Sequence, residues 1–394
     1  MYIRFKKKRI AMIFVFALIF IYTYLDVTTG STSYNFTGQG RGMSHIMLAL
    51  TIMAIVLSAT FFKTGLARGY GPYTLILLGL TVWTTMNCLI FQIPLWTAVT
   101  YVGFTVWWIF TVLLMKRYCA EDLSDERFVV ALCLLMLGYY VYEFFNTYNY
   151  ARMVAEKEHV VLNIIFRILV FVPLIMLIRK EWLKKALIAL VAVLVCASLK
   201  RAALIAYPLM ILVYIAVNSK TRGKSLAGVF GVIAALVLIY IAFVIADNYF
   251  DGLISARFSR EQLESGSGRM ERWKDALAEI RQRSFFKMLF GTGIGSAGYS
   301  QHNEWVEQLF SFGLIGFILY ALFAIRLIRV FVFYYKENSE LAAPYAAFVV
   351  FFLIIGMFSG FMYMHSTLYL FVFAGICESR HPYRGRKRIE RCED

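Results

Sequence analysis

Three short stretches hold residues whose type and spacing can do chemistry. In Ser198-Leu199-Lys200-Arg201-Ala202-Ala203-Leu204, two cations stand between two apolar segments with almost no loop. Charge in such a place is costly and usually faces a cavity, a partner or an interface. Arg201 opens the second apolar segment, and its planar fork matches phosphate oxygens; Lys200 can also reach water by snorkelling. Downstream, Arg269 lies four residues before Trp273 in Arg269-Met270-Glu271-Arg272-Trp273 and so shares its helix face. Its guanidinium can point inward at a site or snorkel at an interface. The third stretch, His302-Asn303-Glu304-Trp305, opens another apolar segment. The positive end of a helix dipole disfavours imidazolium there, and a neutral imidazole can accept a proton from a hydroxyl. A purely structural interfacial histidine fits equally. Glu304 and Glu307 read as complements of the dipole rather than as an acid/base pair.

Weaker signals surround these. Phe290-Gly291-Thr292-Gly293-Ile294-Gly295-Ser296 can aim backbone N–H groups at an anion, but no βαβ context makes it a dinucleotide site. Asp247 and Asp251, four apart, are the one place where paired carboxylates suit a metal. His365 lies near the last apolar segment. Trp107-Trp108 and Tyr139-Tyr140 belong to an aromatic content of 17% that reads mostly as interfacial belts and lipid contact.

The elements that must position these residues are membrane helices. The chain has 394 residues, 60% hydrophobic and 16% charged, against about 45–50% and 25% in an ordinary soluble domain. Apolar runs long enough to cross a hydrocarbon core recur from end to end, which requires helices whose backbone satisfies itself. The pattern predicts an all-α polytopic protein with about twelve spans, near 10–25, 44–62, 72–91, 94–115, 128–145, 160–178, 184–199, 202–217, 226–246, 304–324, 342–360 and 366–378. This divides the chain into a bundle of about nine spans over 1–246, a large extracytoplasmic helical loop over 247–303, three C-terminal spans over 304–378, and a basic cytoplasmic tail over 379–394. Within the loop, Ser267 is a candidate N-cap for an amphipathic helix carrying Met270, Trp273, Leu277 and Ile280.

Lysine and arginine concentrate on alternate connections and at both ends, including Arg384-Gly385-Arg386-Lys387-Arg388, so both termini are expected in the cytoplasm. The net charge of +16 is then a topology determinant near anionic lipid, not a nucleic-acid surface. The first segment lacks a small-residue cleavage site and reads as an uncleaved span. No cysteine falls in an outer loop, so neither disulfides nor a cysteine metal site is expected. No repeat relates the two halves, which disfavours a transporter or lipid-linked-sugar flippase.

Arg201 in Ser-Leu-Lys-Arg-Ala-Ala-Leu, Arg269 in Ser-Gly-Arg-x-x-x-Trp, and His302 in His-Asn-Glu-Trp-Val-Glu-Gln-Leu-Phe-Ser-Phe-Gly-Leu-Ile-Gly together resemble the bacterial O-antigen ligase and polysaccharide polymerase superfamily. The resemblance covers about residues 185–325; Leu199-Lys200 departs from the small or hydroxyl residues usual before the arginine. It implies a metal-independent, inverting glycosyltransferase related to the membrane GT-C class, using no cofactor. The donor would be a glycan on undecaprenyl diphosphate, the product an O-antigen, capsule or exopolysaccharide, and the place the outer face of the bacterial inner membrane. Arg201, Arg269 and His302 would be catalytic, with Lys200, Arg272 and Asn303 binding substrate; no metal is expected. The reading favours a polymerase over a ligase that transfers glycan to a lipid A core or other acceptor. Expected partners are an acceptor glycan or lipid, the surrounding lipids and a chain-length regulator.

Overall fold

The computed structural model describes residues 7–30, 48–56, 72–119, 123–154, 161–223, 225–259, 269–294 and 302–380. The candidate N-cap Ser267, the arginine run of the tail, and Gly295-Ser296 lie outside them. The described residues are helical, with no strand. The helices are α1 (Lys7–Gly30), α2 (48–56), α3 (Pro72–Ile90), α4 (Leu95–Cys119), α5 (Leu123–Val154), α6 (Ile165–Leu169), α7 (Val172–Met176), α8 (Glu181–Ala197), α9 (Arg201–Thr221), α10 (Ser225–Tyr249), α11 (Leu253–Ala256), α12 (Arg269–Arg281), α13 (Phe285–Phe290), α14 (Glu304–Lys336), α15 (Ala342–Phe358) and α16 (Leu368–Arg380). Among the described residues, six helices are long and apolar enough to cross a membrane: α3, α4, α5, α9, α10 and α14. Three shorter apolar segments lie at Met12–Tyr24, Ile165–Met176 and Ala342–Phe358. The protein is a multi-pass membrane protein.

Two compact units divide the chain. One comprises 1–85, 94–132 and 368–394. Its centre is α4 packed along α16, where Gly375 lets the helices close: a Cβ there would lie 2.6 Å from the Met115 Cβ. Trp107 stacks on Tyr22 at 4.6 Å and Trp108 on Phe371 at 5.2 Å. These tryptophans are buried, as is Tyr140 in the other unit, so the expected belt of interfacial aromatics is corrected here. Large flat rings fill the interior because lipid gives helices no hydrophobic reason to associate, and packing must do so instead. Glu378 accepts the Tyr73 N–H at 3.2 Å, and Arg380 pairs with Glu126, giving buried carboxylates partners on neighbouring helices.

The second unit, 86–93 and 133–367, contains all the candidate site residues. Helix α9 lies between α15 and α10, α15 packs along α14, and α12 and α13 rest on α14. Almost all of α10 is uncovered by protein although it is apolar on every side, a pattern that requires lipid around it. The span expected at 160–178 is not one helix. It is two buried five-residue pieces, α6 and α7, separated at Val170–Phe171. Pro173 has no N–H to continue the ladder and its ring crowds the preceding turn, so the helix restarts there. Twelve residues rise about 18 Å, too little for a hydrocarbon core of about 30 Å. Irregular backbone of this kind persists in a membrane protein only when enclosed by protein or lining a cavity.

Helix α14 is broken at Gly313, whose φ of 67° and ψ of −167° are not helical. Two carbonyls beside the break take partners from other segments. Phe310 accepts from the Thr292 N–H at 3.2 Å and from Arg283 Nη1 at 2.8 Å, and Ser311 accepts from the Gly293 N–H at 3.1 Å. Asn87 Nδ2 adds a bond to Phe290 O at 2.8 Å. The glycine-rich turn read as a possible anion cradle therefore spends the N–H groups of 292 and 293 on this crossing. Gly291 and Gly313 are glycine because the chains touch: a Cβ on either would meet backbone oxygen at 2.3 Å. Gly313→Ala adds this collision to a φ strain of about 1–3 kcal/mol. It is expected to lower the apparent melting temperature of the detergent-solubilised protein sharply. Gly138→Ala, in helix α5 with nothing within 4 Å of the added carbon, should leave it unchanged or raised.

Candidate active site

The turn between α8 and α9 is tight enough to put Leu199 in the left-handed region, φ 50°, with its side chain buried. Ser198 Oγ accepts the Lys200 N–H at 3.2 Å, and Ser198 O accepts the Leu162 N–H at 3.0 Å. This fixes Lys200 as the N-cap of α9 with Arg201 its first residue. The Lys200 ammonium is buried and reaches neutral partners. It donates to Asn163 Oδ1 at 2.5 Å and lies 5.5 Å from the centre of the Phe166 ring. Both come from the broken α6 region, which supplies polar backbone and side chains where a continuous helix would not.

Arg269 is half-buried at the start of α12. Its Nη1 donates 2.8 Å to Phe358 O, a carbonyl left without a partner at the C-terminal end of α15. One prong of the fork thus docks α12 on the bundle. Along the helix, Trp273, Ala276 and Ile280 follow Arg269 at spacings of three and four and are its most covered residues, and Arg283 continues the row just past the helix end. Of the four residues expected to lie against the membrane or the bundle, Trp273 and Ile280 are partly covered by protein, whereas Met270 and Leu277 are exposed. Arg283, which sequence reasoning did not single out, is 3% exposed. It sits 4.0 Å over the Phe310 ring and pairs with Glu279 at 3.0 Å, joining α12 to the break in α14.

His302 has φ 51°, a left-handed conformation that costs an ordinary residue of order 1 kcal/mol. It is held from the following two positions. Asn303 Oδ1 accepts from the N–H groups of Trp305 and Val306 at 3.0 and 3.2 Å and so caps α14. Glu304 is 1% exposed and accepts from Phe361 N, Met362 N and Gln308 Nε2 at 2.9, 3.2 and 3.1 Å. The expected role of Glu304 as a simple dipole complement is therefore corrected: it fastens the start of α14 to the turn after α15. Glu307 accepts from the Ser311 hydroxyl at 3.1 Å. His365 lies buried on the same turn, in the 3-10 segment His365–Thr367. Asp247 accepts the Ser255 N–H at 2.9 Å, organising the turn into α11. Among the described residues no three metal-type side chains stand together.

Electrostatics bring Lys200, Arg201, Arg257, Arg269, Arg272 and His302 into one neighbourhood. Burial first, and then the charges of Arg269, Arg201 and Arg257, lower Lys200 to about 8. Burial, followed by Arg269, Lys200 and Arg272, lowers His302 to about 4, so the free imidazole is neutral. Arg269 is depressed by burial and by Arg201 and Arg272, and Arg257 by burial and Arg201; both remain charged. Arg272 itself is exposed at the rim. Arg257 is the residue missed from sequence. It terminates α11 and belongs to no motif, and only the turn built on Asp247 and Gly252 returns it toward Arg201. Guanidinium and ammonium groups that destabilise one another's charge form a site matched to a polyanion, beside a neutral base.

No curated protein matches the chain. Residues 186–321 of the 394, which include every cation of the cluster together with His302, match a family model described as O-antigen ligase, and this supports the O-antigen ligase and polysaccharide polymerase superfamily for the chain.

Proposed function

We propose that this protein is a membrane glycosyltransferase that polymerises oligosaccharide repeat units carried on undecaprenyl diphosphate. The observation that carries the reading is the gathering of Lys200, Arg201, Arg257 and Arg269 beside a neutral His302. Cleavage of a sugar–diphosphate bond leaves its electron pair on phosphate oxygen. Fixed cations where water is scarce stabilise that charge without reorganising. Arg201 and Arg269 face the leaving diphosphate, with Lys200 and Arg257 completing its cradle and Arg272 at the rim. His302 accepts the proton of the acceptor hydroxyl as its oxygen attacks the anomeric carbon. The C–O bond to the acceptor forms while the C–O bond to diphosphate breaks, a single in-line displacement that inverts configuration. Asn303 sets the position of His302 through its cap on α14. The site faces the periplasm, with both termini in the cytoplasm and about twelve spans in a GT-C-like arrangement; a chain-length regulator is a natural partner. Transfer to a lipid A core or other acceptor shares this chemistry, and the description of the matching family favours it as the second reading.

The acceptor separates the two. Purified protein given lipid-linked repeat units alone should build a ladder of lengths; transfer only after an added acceptor would identify a ligase.

His302→Ala should lower turnover by about 10²–10⁴-fold, the range of a lost general base, with insertion and melting behaviour unchanged. Arg269→Lys should fail to restore activity and Arg257→Gln should raise KM for the donor, because a point charge does not replace a two-pronged one and a lost cation weakens the cradle. Near-normal rates in Arg269→Lys would assign Arg269 to its bond with Phe358 alone.

The two depressed groups set a pH profile. Lys200 is charged below about 8 and neutral above it, so donor affinity and kcat/KM should fall as pH rises through that value. His302 stays unprotonated down to about 4, so no acid limb should appear in kcat/KM near the usual histidine value. Lys200→Arg should remove the alkaline limb, which a titrating acceptor would leave in place.

A further inference from the structure

Helix α12 divides its surface into three sectors. Arg269, Trp273, Ala276 and Ile280 are the packed one, continued past its end by Arg283. Most of the exposed remainder is sorted by chemistry, with Arg272 beside the acidic side. Met270, Lys274, Leu277 and Arg281, at spacings of four, three and four, form a stripe of alternating apolar and cationic residues. Glu271, Asp275 and Glu279 form a separate acidic stripe. A helix bathed in water on its whole outer side has no reason to separate these. The apolar-cationic stripe leads into α13, where Phe285 is 70% and Phe286 51% exposed, Met288 is also exposed, and Lys287 accompanies them.

The height of α13 follows from its crossing. Lys220 Nζ lies 4.8 Å from the centre of the Tyr335 ring, so the basic ends of α9 and α14 are level. From that level α9 rises about 30 Å to Arg201, the thickness of a hydrocarbon core, and the same rise along α14 ends close to Gly313. Leu289 and Gly291, at the end of α13, touch Gly313. Helix α13 therefore stands at the membrane boundary, level with the cations of the site.

We propose that α12 and α13 rest on the membrane, with Phe285, Phe286 and Met288 in the acyl boundary, Met270 and Leu277 beside them, and Lys274, Arg281 and Lys287 among the lipid phosphates. The acidic stripe faces water. Exposed aromatic and aliphatic side chains interleaved with cations match a phospholipid surface on both counts. The anchor fixes the plane of the helix that carries Arg269, and it does not depend on which reaction the site performs.

The test places the photoreactive residue p-benzoylphenylalanine at Phe286, at Phe230 on the lipid-facing α10, and at Asp275 on the acidic stripe, in the full chain reconstituted in nanodiscs of phosphatidylethanolamine and phosphatidylglycerol. On illumination, position 286 should give phospholipid adducts at a yield comparable to position 230, while position 275 gives none. Labelling at 286 as poor as at 275, or adducts at 286 with a second copy of the chain in place of lipid, would overturn the proposal.

Discussion

Cations held where water is scarce repel one another, and their repulsion must be borne by the parts of unit 2 that hold them. Each is fixed by a different device. Lys200 caps a helix and rests on an amide oxygen and an aromatic face, Arg269 occupies a helix C-terminus, and Arg257 ends a short turn organised by Asp247. Lys200 and Arg269 donate to neutral oxygens, those of Asn163 and Phe358. A carboxylate in their place would stabilise the empty protein and would have to be displaced by an incoming anion. Neutral partners leave the positive charge to whatever binds, so the interaction strengthens most as negative charge grows on a leaving group.

Holding such a cluster requires backbone that departs from regular helix, and the departures are interlocked. The break at Gly313 frees carbonyls of Phe310 and Ser311 that Thr292, Gly293, Arg283 and Asn87 occupy. Arg283 lies two residues past the end of the helix that begins with Arg269, and the 290–294 turn crosses the helix that begins just after His302. One crossing thus couples the element that bears Arg269 to the helix that follows His302. Glu304 adds a second tie, from the same helix start to the turn after α15, whose last carbonyl receives Arg269. Relative motion of Arg269 and His302 would have to break several buried hydrogen bonds together.

What was readable in the sequence follows from locality. Long apolar runs announce helices whatever they pack against, and α9, α10 and α15 begin and end within a few residues of the expected limits. Arg201, Arg269 and His302 stand out because a charge beside an apolar run is locally anomalous. Arg257 and Asn163 give no such signal: Arg257 is an ordinary polar residue in a connection, and Asn163 is a single amide at the start of an expected span that the structure breaks. The break over 160–178 was hidden because a composition window ignores one proline, and the burial of Trp107 and Trp108 because an aromatic fits an interface and a core equally well. Glu304 misled for a related reason. A carboxylate in a first helical turn always suits the dipole, and only tertiary structure places Phe361 and Met362 where they can claim it.

The low basicity of His302 bears on how a transferase of this kind would avoid idle chemistry. A group whose conjugate acid loses its proton near 4 is a poor base at neutral pH. Burial and three cations produce that value, and they respond differently to substrate. In the proposed reaction, burial would persist or deepen when the lipid-linked donor arrived, whereas its diphosphate would bring negative charge against the same Arg269, Lys200 and Arg272 that depress the ring. Binding of such a donor would therefore offset the coulombic part of the depression and raise the affinity of His302 for a proton. An acceptor hydroxyl reaching the empty site meets a weak base; the same hydroxyl reaching the loaded site meets a stronger one. The cations that would stabilise the leaving group thus also make the base conditional on the donor, and a second titratable group is not required for that coupling.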